Sequence, residues 1–531
     1  MVQISWNYNT IQITPKKLKV MEYTDQQRRF IESANETISD NPADRLGPKA
    51  REIVDSKNFV FDAHCHIFDG ACVKVTYLVA RLLLSFAEFL PPRIYWIVKT
   101  IFRKIFGALR FNLKEAEFSR EAFISDTLPG RNSTFDLMTD AAIQEEIDQP
   151  IEDFIAEIEA SRRSEKALSV PDFLDELESE MNELDKQLEE MMVGSRAGTP
   201  EAIKLASLDF DRGFIKRVLK IIKILRFTKM ESVLNGFEKN FAINHVYNKF
   251  FEADKDQLTI VLGMDLNSGW QGTSEKSNST QNKELGELAK TEAILPYLPI
   301  DPRRADDEGD KNLYKFFLKA FNKDNPAFFG VKCYPAMGYL PTDHRLHPIF
   351  KVCAEKNIPV MTHCGGEMIS TFANPVIAYR GEEKVEIDNQ RRKHRTRRLN
   401  EPEEWKPVLE AHPNLRLCLG HFGGRNAWDG HKKTKHRIRT ILDMMQKYDN
   451  LYADFSFNLE SPQTVKRFKK KLLASDADGK VMKSRTLFGT DYWVVLPISD
   501  LNKDQKHFLE EMGDLCDKLV TDNVMEYLGL P

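Results

Sequence analysis

The sequence predicts a parallel (β/α)8 barrel with a large helical insertion after its first strand. Three observations predict it. Eight apolar, β-rich runs each end in polar residues, helical patterns lie between most of them, and His64 with His66, His363, His421 and Asp491 stand at the ends of four of the runs.

The runs are Phe59–Phe68, Leu258–Asp265, Ile294–Asp301, Phe328–Pro335, Ile358–Gly365, Leu415–Phe422, Leu451–Phe457 and Thr486–Trp493. Continuous apolar character, rather than strict alternation, suits strands buried on both faces of a parallel sheet. Helical periodicity follows in Lys311–Phe321, His347–Lys356, Glu403–Ala411, Arg437–Tyr448 and Thr464–Ala474, and closes the chain in Lys506–Leu528. Strand–helix alternation carried to eight strands defines the barrel.

The interval between the first two runs is far longer than a βα crossover needs. It divides the chain into an N-terminal extension (1–58), a barrel (59–70 and 258–531) and a helical insertion (71–257). Within the insertion, residues 73–111 and 212–239 are basic and amphipathic, and residues 140–192 are acidic and helix-friendly. The basic faces suit an anionic membrane surface. Burial against the barrel or the acidic helices is preferred, because the insertion supplies its own charge complement. A second charged stretch, Glu382–Arg398, interrupts the unit after the fifth strand.

Of 531 residues, 42% are hydrophobic, and 34 are Phe, which excludes wholesale disorder. A net charge of −4 argues against a dedicated nucleic-acid binder. Seven irregularly spaced cysteines are no disulfide framework and fit a reducing compartment. No signal-peptide pattern opens the chain, and Arg81, Glu88, Pro91 and Pro92 break the longest apolar stretch. A cytoplasmic protein is expected.

The chemistry sits at the strand ends. In Asp62-Ala63-His64-Cys65-His66, alternation points His64 and His66 to one face and Ala63 and Cys65 to the other. Such a pair is by itself an ordinary strand feature. His363 ends the fifth run, His421 the sixth and Asp491 the eighth, at the face where barrel active sites are built. With only 12 histidines in the chain, chance placement explains this poorly. Imidazoles and a carboxylate suit Zn²⁺ first, then Mn²⁺, Fe²⁺ or Co²⁺. Lesser candidates are Glu367 and Trp428 as substrate contacts, and Asp265 and Asp301 as pocket lining or turn caps. The basic run Arg391–Arg398 is expected to be a solvated loop pairing with Glu382, Glu383 and Glu386, and Cys65 and Cys364 to be packing cysteines.

This pattern resembles the amidohydrolase superfamily. The stretches GVKCYP with GYLPTD, PVMTHCGG, EEWKPVLEAHPNLRLCLGHFGG and the closing DNVMEYLGL are similar to the amidohydrolase-related group that includes aminocarboxymuconate-semialdehyde decarboxylase. The resemblance covers residues 59–70 and about 258–531. It implies a TIM barrel of the metal-dependent hydrolase type, with His64, His66, His363 and Asp491 holding one divalent metal, zinc by preference. It also implies that His421 acts as acid and base. Lys332, ending the fourth run, then serves as a charge partner for substrate or for Asp491. The binuclear alternative makes Lys332 a carbamylated bridge, with His421 on a second ion.

The activity expected is hydrolysis of an amide, lactone or ester of a small molecule, neutral or anionic, by metal-activated water, with His421 or Asp491 handling the proton. The runner-up is non-oxidative decarboxylation or hydration of an unsaturated or aromatic acid. A third reading, a peripheral-membrane or partner-binding scaffold, is opposed by the intact set of strand-end residues.

Overall fold

A computed structural model describes residues 22–72 and 229–531, apart from 270–273, 275, 366–368, 372, 374, 388–391 and 497–498, together with isolated positions 179 and 182. The segment 73–111, all of 140–192 but 179 and 182, most of 212–239, and Glu367 lie outside the described residues.

Eight parallel strands form one sheet: β1 (Phe59–Cys65), β2 (Asp256–Leu262), β3 (Ile294–Ile300), β4 (Gly330–Cys333), β5 (Val360–His363), β8 (Leu417–Gly420), β9 (Leu451–Asp454) and β10 (Thr486–Leu487). Seven of them fall within the apolar runs, and β2 begins two residues before its run, at Asp256. Between β5 and β8 a separate antiparallel hairpin is inserted, β6 (Val376–Arg380) with β7 (Glu383–Ile387). The sheet closes where the Ala63 amide donates to the Phe488 carbonyl at 3.0 Å and the Asp491 amide donates to the His64 carbonyl at 2.7 Å. Closure thus delivers Asp491 directly to His64.

The register between β1 and β2 slips between Asp62 and Cys65. A bulge of this kind re-aims side chains. It separates Ala63, which packs with the barrel interior (Phe61, Leu262, Met361, Cys418), from Cys65, which packs with the outer layer (Val60, Val261, Ile67). Plain alternation assigned those two residues to one face, so that part of the sequence reading is corrected.

The described residues preceding β1, from 22 on, pack onto the barrel. Helix α1 (Asp25–Thr37) begins with a capping box between Thr24 and Gln27. Its Phe30 ring packs 4.9 Å from Tyr314 and 5.6 Å from Phe317. Helix α2 (Pro48–Ser56) contributes Ala50, Ile53 and Val54 to the barrel-interior cluster, where the C-terminal Val524, Tyr527 and Leu528 join them. The helices Met230–Asn240 and Ile243–Phe251 also pack onto the core through Phe237, Ile243 and Tyr247.

The basic run after β5 is not a solvated loop. Arg392–Leu399 is helical, with Arg395, Thr396 and Leu399 buried. No described helix is long and apolar enough to cross a membrane.

Candidate metal centre

The strand ends bring His64, His66, His421, Asp491 and Lys332 together, all buried. Donor atoms of His64, His421 and Asp491 lie within 4.8 Å of one another. His64 Nε2 is 3.8 Å and His66 Nε2 3.5 Å from Asp491 Oδ1, and His421 Nδ1 is 3.9 Å from Asp491 Oδ2. His363 packs against His421 instead, with its Nδ1 3.0 Å from His421 Nε2, and its ring lies tilted against Tyr334 at 4.4 Å.

Hydrogen bonds on the far side of each ring set its tautomer. His64 Nδ1 donates to Asp454 Oδ2 at 2.9 Å, and His66 Nδ1 donates to the Leu262 carbonyl at 3.0 Å. Both Nε2 atoms are left with lone pairs facing Asp491. Ser456 Oγ donates to Asp454 Oδ1 and accepts from His421 Nδ1 at 2.9 Å, so His421 Nε2 accepts in turn from His363.

The electrostatics agree. Burial, reinforced by the Lys332 ammonium, holds His64 and His66 well below the usual imidazole range; burial and the neighbouring His363 do the same to His421. These rings are neutral and able to donate a lone pair. Burial pushes the Asp491 carboxyl well up, opposed by Lys332. Burial pulls Lys332 down, opposed by Asp454 and Asp491.

The residues fit a divalent cation. His64 Nε2 and Asp491 Oδ1 are buried without a hydrogen-bond partner. Their separation, and that of His66 from the same oxygen, exceeds a hydrogen bond. Two ligands at tetrahedral zinc, each at about 2.0–2.1 Å, stand about 3.4 Å apart, close to the spacing found here.

Local backbone serves this geometry. His421 (φ 63°) and Asp491 (φ 54°) both occupy the left-handed region, a cost tolerated where packing over-determines the conformation and frequent at functional sites. A Cβ at Gly489 would lie 2.5 Å from His64 Cβ, and one at Gly365 would lie 2.7 Å from His421 Cβ. The glycines of FGTD and HCGG therefore make room for the two histidines.

Asp454 and Ser456 were not singled out from the sequence. The available signal was an acidic residue ending the LYAD run where other runs end in His or Asp. Among the lesser candidates, Trp428 packs among Phe422, Phe455 and Phe468. Asp265 and Asp301 line a cleft beside the cluster but are engaged by Arg304 and Arg303. Cys65 and Cys364 are buried free thiols.

Residues 297–522 match the protein-family model described as Amidohydrolase, a span that contains Lys332, His363, His421 and Asp491 and begins after the His64–His66 pair. Three solved structures are similar at low identity. An amidohydrolase from Burkholderia multivorans with bound HEPES is 12% identical, covering 54% of this chain and 88% of that chain at a TM-score of 0.34. A form of it with bound zinc is 11% identical, covering 54% and 87% at 0.31. The 4-oxalomesaconate hydratase of Rhodopseudomonas palustris is 11% identical, covering 60% and 90% at 0.35. No curated protein matches the chain.

Proposed function

We propose that this chain is a metal-dependent hydrolase acting on an amide, lactone or ester of a small molecule. One observation carries the reading: the Nε2 atoms of His64 and His66 stand 3.8 Å and 3.5 Å from the same Asp491 oxygen, and that oxygen and His64 Nε2 are buried without a hydrogen-bond partner. His64, His66 and Asp491 would hold one zinc ion, with His363 as the further ligand that the family resemblance implies. Bound there, the ion would supply Lewis acidity, polarising a substrate carbonyl and making a water molecule acidic near neutral pH.

The chain's own groups do the rest. Asp491, its carboxyl raised by burial and moderated by Lys332, takes a proton at one oxygen and passes it onward. His421 is held by Ser456 through Nδ1, and its Nε2, which accepts from His363, would become the proton-accepting atom once His363 turns to the ion. Asp454 orients His64 and, through Ser456, His421.

The test combines metal analysis with turnover of the zinc-loaded protein on lactones, amides and esters. Stoichiometric zinc with acid release supports the reading. Release of CO₂ from unsaturated acids, or water addition to them, would assign a lyase instead. Failure to retain any divalent ion after reconstitution would remove both.

A further inference from the structure

The hairpin inserted after β5 is a sheet of two strands, a size that is marginal on its own. Its inner face is anchored: Val376 and Ala378 of β6 are buried with Leu340 and Leu399, and Ile387 of β7 packs beside them. The turn at the end of β6 is met by another part of the chain, where the Gly381 amide donates to the Thr342 carbonyl and the His344 amide donates to the Gly381 carbonyl. The β7 side has no such neighbour. Among the described residues no strand pairs with its outer edge.

Register decides which backbone groups lie on that edge. Arg380 pairs with Glu383 across a two-residue turn, and the pairing runs on through Ala378–Val385 to Val376–Ile387. In such a hairpin the pair flanking the turn exchanges hydrogen bonds, and bonded and non-bonded pairs then alternate. Glu383, Val385 and Ile387 therefore bond back to β6, while the amides and carbonyls of Lys384 and Glu386 point outward. An unmet edge is a template for another strand.

This edge complements itself. Set antiparallel to a second copy about Val385, the sequence Glu383-Lys384-Val385-Glu386-Ile387 places Lys384 opposite Glu386 twice and Val385 opposite Val385. Lys384 and Glu386 are both exposed and free to meet a partner. They are also the residues whose backbone groups point outward, so charges and edge hydrogen bonds are met together. Charged residues on an edge keep copies apart when like faces like. A centre one residue away, on Lys384 or on Glu386, sets that residue against its own copy.

We propose that two copies of this chain join edge to edge through β7, antiparallel about Val385, making one four-stranded sheet from two hairpins. The pairing does not depend on the activity assigned to the metal centre. One strand pair buries little area, so the association belongs to the weak class and forms as concentration rises.

The experiment is sedimentation of the full chain over a concentration series up to about 0.1 mM, in which a single copy should pass into a pair. Lys384→Glu and Glu386→Lys each turn two opposite-charge pairs into two like-charge pairs, and each should weaken association by about tenfold or more. Mixed in equal amounts, the two variants should pair with one another about as tightly as wild type, because the carboxylates of one then face the ammonium groups of the other. Hydrogen exchange at the amides of Lys384 and Glu386 should slow as wild-type concentration rises. A wild-type chain that stays a single copy throughout the series overturns the proposal. So does a pair that both variants leave unchanged, or a mixture that associates no more tightly than either variant alone.

Discussion

His64 Nδ1 lies 2.9 Å from Asp454 Oδ2, with both side chains wholly buried, and this contact ties β1 to β9 at the barrel mouth. The other oxygen of Asp454 accepts from the His421 amide at 3.0 Å and from the Ser456 hydroxyl. One carboxylate thereby sets the orientation of two histidines.

Asp454→Asn tests that arrangement. An amide NH₂ in place of Oδ2 would donate to His64 Nδ1, move the ring proton to Nε2 and remove the lone pair that faces Asp491. Loss of such a partner lowers metal affinity by about 10- to 100-fold. Competition with a zinc chelator measures it; affinity equal to wild type would reduce Asp454 to a packing role.

Removing the converging donors should remove the ion. His64→Ala and Asp491→Ala are expected to purify without stoichiometric zinc, whereas His421→Ala should retain one zinc and lose turnover. Elemental analysis of the three proteins decides this. Loss of half of a two-ion content in His421→Ala would favour the binuclear alternative.

Asp62 makes stability depend on pH. Burial pushes its carboxyl up to about 7, against the hydrogen bonds it accepts from Thr490 and His64. The folded protein keeps a proton that the unfolded chain releases above about pH 4. The contribution is therefore full below about pH 4 and is lost as the pH rises to about 7, by at most about 1.4 kcal/mol per pH unit. Asp62→Asn can keep both amide donors on its oxygen and offer its NH₂ to the Thr490 hydroxyl. Urea midpoints at pH 5 and pH 8 should fall for wild type and stay level for the variant; parallel declines would assign the titration to another group.

Phe30→Ala probes the segment before the barrel. Phe30 is 3% exposed and packs against Tyr314 and Phe317. Truncating a buried Phe costs about 3–5 kcal/mol. A loss of that size in denaturant unfolding is expected; a change below about 0.5 kcal/mol, usual for surface positions, would mean that α1 contributes little to the core.

The sequence by itself determined the eight strands, most of the helices after β2, and which chemical groups stand at the strand ends. These are readable because apolar runs, helical periodicity and the polar residues that end a strand are local properties. It missed the β6–β7 hairpin, whose partly exposed strands Val376–Arg380 and Glu383–Ile387 carry charge at Arg380, Glu383, Lys384 and Glu386 and so read as a charged insertion. Only the tertiary structure decided how the strand-end groups face one another. The bulge in β1 depends on its pairing with β2, the place of Asp491 on the closure with β1, and the bond from His64 to Asp454 on residues 390 apart in sequence. Contacts between such distant residues leave no mark in local periodicity, since they exist only once the sheet has closed and brought its ends together.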